Sequence, residues 1–353
     1  MNWTNSKNDF TDISILSAHD INNNLLIDFY RRVWPNRLNH NIWKWLNRTS
    51  YYNNKIPLII LHRNEVVAHA GIIPFKVLVD DKCYTASWFI DFAVLPEFQR
   101  QGLGIKLTKQ WMEFSDLNVT FCNEKSMGIF KKFGWIESFK TYHHIYPLLA
   151  FDHPFFVRHT PIIVSRVLNT LSSRFYKLIY NKYDTLVDNL KFLPVNKESL
   201  REFMLTHKVP VKNAVLPVRD VDYLKWRLLN SPDKEKYRII MNDKSSIIVK
   251  MANNHSRYID ILWVSNPFAY TNVRDIISAL GIWGLTNNYS YIRHAISNKR
   301  ISNYYRKHFL PFVWHPRFAY YTKDAELYDK IKKYKWDYDL IDSDFERFRE
   351  KGN

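Results

Sequence analysis

The feature that most restricts the folding of this 353-residue chain is a segment that occurs in it twice. Residues 42–70, IWKWLNRTSYYNNKIPLIILHRNEVVAHA, align without a gap with residues 223–251, YLKWRLLNSPDKEKYRIIMNDKSSIIVKM. Trp45 falls on Trp226, and Val66-Val67 on Ile247-Ile248. Further on, WFIDFAVLP has a counterpart in RYIDILWVSNP, and FCNEKSMGIFKKF in AISNKRISNYYRKHF. The last pair sets Asn123 opposite Asn298 and Phe130 opposite Tyr305. Three similar segments in one order point to a single α/β unit used twice. Length agrees, since domains run to about 100–200 residues and two are expected here.

Within the first copy, Leu25, Leu26, Phe29 and Val33 recur at helical spacing behind a cap expected at Asp20, and a short helix NIWKWL follows. The β-branched runs IPLIIL and VVAHAGIIPFKVLV predict two strands around a turn at His62 to Glu65. Asp80-Asp81-Lys82 turns the chain into a third strand, YTASWFIDFAVL. The loop and helix EFQRQGLGIKLTKQWMEF follow, then a strand NVTFC and a helix KSMGIFKKF closed by Gly134. A strand pair around Ile136 to Tyr146 completes the copy. The divisions expected are 1–150 for the first copy, 151–195 for a linking helical region and 196–353 for the second copy.

Fifty-one basic residues against 34 acidic give a net charge of +17, which attracts anions. Nucleic acid, an anionic membrane surface, phosphorylated small ligands or merely solvated lysines all fit that balance. No zinc-finger, helix-turn-helix or RNA-binding signature accompanies it, so nucleic acid is not an expected partner. Cys83 and Cys122 offer neither a disulfide framework nor metal-ligand spacing; no metal is expected, and a reducing cytoplasm fits. The start MNWTNSKNDFTDIS lacks the apolar core of a signal peptide, and no run of about 18 apolar residues predicts a membrane span. In the middle region Val164, Leu168, Leu171, Phe175 and Leu178 mark one helical face, with Arg166, Arg174, Lys177 and Lys182 mainly off it. Such a helix either lies on an anionic membrane or links two domains. The stripe is no wider than a core-facing stripe requires, so a packed linker is the expectation and peripheral membrane contact the alternative.

The stretch with chemical content is Ile90 to Leu107, IDFAVLPEFQRQGLGIKL. A strand ends at Pro96, and Gln99-Arg100-Gln101-Gly102-Leu103-Gly104 runs straight into a helix. Glycines here let backbone amides approach an anion, the helix N-terminus adds its positive dipole end, and Arg100 suits phosphate. A dinucleotide fingerprint would need a small third residue where Leu107 stands, and a Walker A loop would need Gly-Lys-Ser/Thr, which is absent.

The remaining pattern, Gln/Arg-x-x-Gly-x-Gly/Ala after a strand ending Val-x-Pro, resembles the pyrophosphate loop of the GNAT acyltransferase superfamily. Val94-Leu95-Pro96 and Gln99 to Gly104 fill it at every defined position. NEKSMGIFKKFGW resembles the superfamily's downstream segment, with Asn123 and Gly134-Trp135 in place. The resemblance covers residues 12–148 well and 200–322 as a worn copy. It implies two tandem α/β domains, each a mixed, mostly antiparallel sheet flanked by helices. It also implies acetyl-CoA or another acyl-CoA as co-substrate, held by Ala93 and Val94 on a splayed strand, by Gln99, Arg100, Gln101, Gly102, Leu103, Gly104, Ile105 and Lys106, and by Asn123. Asp91 on that strand is the expected general base. Strand alternation puts Asp91 and Ala93 on one face and Ile90, Phe92 and Val94 on the other. Many relatives carry a proton-donating Tyr where this chain has Phe130; Tyr142, with His143 and His144 beside it, is the expected substitute. The second copy reads VSNPFAYTNVRDIISALG at the loop, without a glycine pair, so no cofactor is expected there and Tyr305 is expected to pack.

Tandem chains with WxW or LKWR near each repeat's start resemble acyltransferases of bacterial surface-polysaccharide synthesis. That implies an amino-sugar acceptor of the nucleotide- or lipid-linked kind, with another amine (a drug, an amino acid or a protein lysine) or a non-catalytic coenzyme A- or sugar-binding role as alternatives.

Overall fold

The computed structural model describes residues 13–34, 40–47, 57–138, 141–149, 161–180, 187–206, 213–253, 257–266 and 269–343. The first half runs β1 (Ile13–Ser17), α1 (Asn23–Val33), α2 (His40–Asn47), β2 (Leu58–His62), β3 (Glu65–Val79), β4 (Lys82–Val94), α3 (Leu103–Trp111), β5 (Leu117–Cys122), α4 (Glu124–Lys132), β6 (Ile136–Ser138) and β7 (Tyr142–Pro147). Helix α5 (Ile162–Tyr180) leads to β8 (Lys191–Pro194), α6 (Lys197–Thr206), β9 (Ala214–Pro217) and α7 (Val221–Leu224), which continues as a π-turn over Lys225–Leu229. Then come β10 (Tyr237–Met241), β11 (Ser246–Asn253), β12 (Arg257–Val264), α8 (Tyr270–Thr286), β13 (Tyr291–Ile296), α9 (Lys299–Phe309), β14 (Phe312–Trp314), β15 (Arg317–Thr322), α10 (Ala325–Lys333) and β16 (Lys335–Trp336).

The repeat is a repeat of structure. One sheet has the order β1-β2-β3-β4-β5-β15-β6, the other β8-β10-β11-β12-β13-β7-β14. Only one pair in each of these paths is parallel, β4 with β5 and β12 with β13, each bridged by a crossover helix, α3 or α8. The expected mixed, mostly antiparallel sheets flanked by helices are found in both halves. A short extension joins the halves further, β9 pairing with the far end of β3 through Val77 to Val79.

The expected strand pair between Ile136 and Tyr146 does not form. β6 pairs with β15, Ser138 opposite Phe318, while β7 enters the other sheet between β13 and β14, with Tyr142 opposite Ile296 and His143 opposite Trp314. Each half thus donates its last long strand to the other, and both strands cross the divisions drawn from the sequence. Two residues, 139 and 140, separate the end of β6 from Thr141. A link of this length would also serve a hairpin, so the choice of sheet is made by the partners of β6 and β7 and not by the link. At the crossing Thr141 Oγ1 donates to the Pro316 carbonyl, and the Tyr142 and His315 rings meet edge-on at 5.0 Å.

Three smaller differences are local. β1 precedes the first element expected from the sequence, pairing with β2 from Ile13 opposite His62 to Ser17 opposite Leu58. Helix α1 is capped by Asn22, whose side chain accepts from Asn24 N at 2.9 Å, while Asp20 sits in a single 3-10 turn before it. The apolar stripe of α5 faces outward instead of into a core; its buried side chains are Ser165, Tyr176 and Tyr180.

The matched tryptophans meet at the centre of the molecule. Trp45 and Trp226 stack with centroids 5.4 Å apart and planes 24° from parallel. Trp45 Nε1 donates to the Trp226 carbonyl at 2.8 Å and Trp226 Nε1 to the Trp45 carbonyl at 3.2 Å. That exchange is what a two-fold-like relation between the copies requires.

Candidate functional site

The parallel ladder of β4 and β5 runs only from Ala86 opposite Leu117 to Trp88 opposite Val119. Beyond it β4 stays on β3 as far as Val94 opposite Ala68, and β5 stays on β15 as far as Cys122 opposite Arg317. The strands therefore splay toward their carboxyl ends, leaving one edge of each without a ladder partner along a crevice. The Thr120 hydroxyl donates to the Phe89 carbonyl at 3.1 Å, closing the crevice at its apex.

A bulge shapes the β4 wall. Ile90 pairs with Gly71 and Ala93 with His69, so β4 carries one residue more than β3 between the two rungs. Asp91 absorbs it with φ of 47°, a left-handed conformation uncommon outside glycine. Strand alternation fails across such a bulge. Phe92 lies 5.0 Å from Phe89, and Phe92 and Val94 face Gly104, so both share the α3 side with Phe89 and not with Ile90. The expected grouping of Ile90 with Phe92 and Val94 is corrected accordingly. A relay from three other segments holds the bulge: Trp43 Nε1–H donates to the Tyr30 hydroxyl at 3.0 Å, Tyr30 OH lies 3.3 Å from His69 Nε2, and His69 Nδ1 lies 2.9 Å from the Asp91 carbonyl. A carbonyl only accepts, so Nδ1 carries the proton and Nε2 receives the tyrosine hydrogen. His69 is a site residue that sequence reasoning missed; its only signal is a histidine between the apolar runs of β3.

The loop after β4 is held by its own glutamines. Gln99 Nε2 donates to the Val94 carbonyl at 3.0 Å and Gln101 Nε2 to the Glu97 carbonyl at 2.9 Å. Arg100 and Gly102 take positive φ, 63° and 83°. The first amide to bond within α3 is that of Lys106, which donates to the Gly102 carbonyl at 3.0 Å. Those of Leu103, Gly104 and Ile105 precede it and have no intrahelical acceptor. A Cβ built on Gly102 meets no atom within 4 Å, whereas one on Gly104 comes within 3.3 Å of the Phe92 ring. Open space, unpaired helix-end amides and the exposed Arg100 and Lys106 form a cradle that fits a diphosphate. At the end of β5, Asn123 caps α4, accepting from Ser126 N at 2.9 Å while Ser126 Oγ accepts from Asn123 N at 3.1 Å, so its carboxamide oxygen is engaged locally.

Residues 20–135, which contain all of this, match the acetyltransferase (GNAT) family model. The match covers about a third of the chain. The family's activity is acyl-CoA-dependent N-acyl transfer, and the chain is an N-acyltransferase on that ground. Structural likeness extends over both halves. A GCN5-related N-acetyltransferase from Kribbella flavida is similar with a TM-score of 0.57 and 12% identity over 89% of this chain and 73% of that one. A probable N-acyltransferase from Enterococcus faecalis V583 is similar with a TM-score of 0.54 and 9% identity, over 88% and 71%. The N-myristoyltransferase of Saccharomyces cerevisiae, solved with myristoyl-CoA and inhibitors, gives 0.54 and 9%, over 88% and 80%. At such identities the likeness speaks for the fold alone. No curated protein matches the sequence.

Where many GNAT enzymes carry a tyrosine, Phe130 is 3% exposed and packs on Phe89 at 5.8 Å and Trp135 at 4.7 Å. Trp135 in turn stacks on Trp111 of α3 at 5.3 Å, so this position belongs to an aromatic wedge joining α3 and α4. Tyr142 and Asp91 lie in different sheets; Tyr142 is packed against the core of the second half, while His143, on the opposite side of β7, meets Phe121 of β5 edge-on at 5.6 Å. Burial, with the Glu137 charge adding to it, pushes the Cys122 thiol up to about 11. His144 and His294 are held down to about 3 by burial, and both are neutral near pH 7.

The second GNAT-like half has the same splay in another state. β12 and β13 part after Ile261 opposite His294, and a cavity of about 90 Å³ lies there, walled by Val264, His294, Ser297, Tyr305, Trp336 and Tyr338. Tyr338 fills the apex between the sheets, 5.5 Å from Trp88 and 5.4 Å from Phe121. Helix α8 starts from Ala269 without a side-chain cap, and Tyr305 is fully packed among His294, Tyr304 and Phe309. Among the described residues no cluster of His, Cys, Asp or Glu could hold a metal ion.

Proposed function

We propose that this chain moves an acyl group, in the simplest case acetyl, from acyl-CoA to the amine of an amino sugar, possible acceptors being nucleotide- or lipid-linked. The observation that carries the acyl-CoA part is the meeting, at the carboxyl ends of β4 and β5, of a bulged free strand edge with a helix start whose glycine has left-handed φ. Ala93, Val94, the amides from Gln101 to Lys106 and the Arg100 guanidinium would hold the donor; Asn123 is the weakest member, because its side-chain oxygen caps α4. The thioester supplies the acyl group. An amine attacks only as the free base, so an acceptor ammonium must first lose a proton, and Asp91 is the carboxylate on the strand that borders the crevice. The coenzyme A thiol, with a pKa near 8.5, departs tolerably as the anion, which fits Phe130 at the usual tyrosine position and removes the need for Tyr142, packed on the second half's core, to act as the acid. The amino-sugar part rests on the resemblance of the tandem arrangement to polysaccharide-modifying enzymes and on a charge of +17 suited to a phosphorylated acceptor.

Titration calorimetry with acetyl-CoA, followed by thiol release against a panel of amino sugars and other amines, tests both parts. Gly102→Val is expected to abolish acetyl-CoA binding while the protein stays folded; retained affinity would remove the cradle from the site. Asp91→Asn is expected to lower kcat by about 10²–10⁴ with little change in the affinity for acetyl-CoA. A second reading, a sensor that binds acyl-CoA without turnover, is favoured by Phe130 and would be marked by binding with no thiol release from any amine.

A further inference from the structure

Helix α5 turns its most apolar side to the outside. Ile163, Val164, Val167, Leu171, Phe175 and Leu178 are 77, 45, 57, 57, 50 and 76% exposed. At roughly 100° per residue these six occupy an arc of about 120°, over a helix about 28 Å long. The opposite side is the one that packs. Tyr180 lies against Gly281 of α8 and the ring of Phe309 of α9, and Tyr176 lies beside Tyr180. Six large apolar side chains aligned in one stripe exceed the scattered exposure normal for a soluble surface. Arg166 and Lys177 stand beside one border of the stripe and Arg174 just inside that border, all three exposed, and the helix sequence IIVSRVLNTLSSRFYKLIY contains no acidic residue.

What covers this stripe follows from its charge. A second copy laid on it would bring two basic flanks together with no carboxylate on either helix to pair them. An acidic sheet of lipid headgroups over acyl chains matches both features, taking the apolar arc below and the cations at its border. The chain's +17 acts in the same direction. No helix among the described residues is long and apolar enough to cross a membrane, so α5 lies along the surface.

We propose that α5 is an interfacial anchor that seats the protein on an anionic lipid bilayer. The proposal is independent of the acyl-transfer reading, since none of these side chains belongs to the β4–β5 crevice.

Flotation of the full chain with large unilamellar vesicles tests it, comparing pure phosphatidylcholine with vesicles about one-third phosphatidylglycerol. Binding is expected to the anionic vesicles and to weaken as salt is raised. The triple change Arg166→Gln, Arg174→Gln, Lys177→Gln is expected to weaken it about 100-fold, roughly fivefold for each cation. Leu171→Glu with Phe175→Glu is expected to abolish it, with the thermal midpoint and acetyl-CoA affinity unchanged. The proposal is overturned if the protein ignores anionic vesicles, or if the Glu variant binds them as well as the parent. It is equally overturned if sedimentation equilibrium gives a dimer that the Glu variant turns into a monomer, for then the stripe is a contact between copies.

Discussion

Single residues at this site are held in conformations that their neighbours must enforce. Asp91 and Arg100 have positive φ without being glycine, at a cost of order 1–3 kcal/mol each, and Gly102 takes the same region at little cost. For Asp91 the Trp43–Tyr30–His69 relay supplies the restraint. Buried histidines add a pH dependence. His144 bonds Ser302 Oγ at 2.8 Å, and like His294 it is held near 3, against about 6.5 in an unfolded chain. Between those values the unfolded chain holds more protons than the folded one. Stability is therefore full above about pH 6.5 and falls as the pH drops, by up to about 1.4 kcal/mol per pH unit for each histidine. Asp337 and Asp339, whose carboxyls burial holds above the usual range, contribute the opposite slope. Comparison with a variant cancels that contribution. His144→Asn is expected to be less stable at pH 7 yet to lose less of its thermal midpoint between pH 6.5 and 4 than the parent. Equal losses would mean that His144 takes up its proton inside the fold.

At the scale of elements, the two copies are joined where their matching helical segments meet. Each tryptophan of the Trp45–Trp226 pair donates to the other's carbonyl, so either ring's removal leaves a buried acceptor open, at about 1–3 kcal/mol. Trp45→Phe and Trp226→Phe are each expected to lower stability by that amount in urea unfolding. A double-mutant cycle with Trp45→Leu and Trp226→Leu, which remove the stacking rings, should give a coupling of about 0.5–1.5 kcal/mol, and a coupling of zero would mean that the stack does not tie the copies together. Helix α5 teaches the complementary lesson. Its heptad-like stripe is plain in the sequence, but a stripe states only that one side is apolar. Which side is buried depended on Tyr176 and Tyr180 finding α8 and α9, and that competition lies outside the helix.

For the whole molecule, the exchange of β7 and β15 makes the two halves one folding unit. Each sheet needs a strand from the other half of the chain, and an empty slot would leave a row of unpaired amides and carbonyls in the middle of a sheet. A protease site introduced between Leu149 and Pro161 should therefore give fragments that co-elute after cutting. Residues 1–150 and 161–353 expressed apart should fail to fold, and calorimetry of the intact chain should show one transition. Two separate transitions, or a soluble folded first half, would contradict this.

The sequence by itself determined the α/β class, the order of nearly all the elements and the loop from Gln99 to Gly104. Those properties are local: hydrophobic period, turn residues and the freedom of glycine act over a few positions and need no partner. Only the tertiary structure decided which strand fills each central slot, which face Phe92 and Val94 present, where the stripe of α5 points, and that His69 supports Asp91. Each of these is set by pairing between segments tens to hundreds of residues apart. There one extra residue reverses a strand's faces, and a slot open between two distant strands decides which sheet a strand enters.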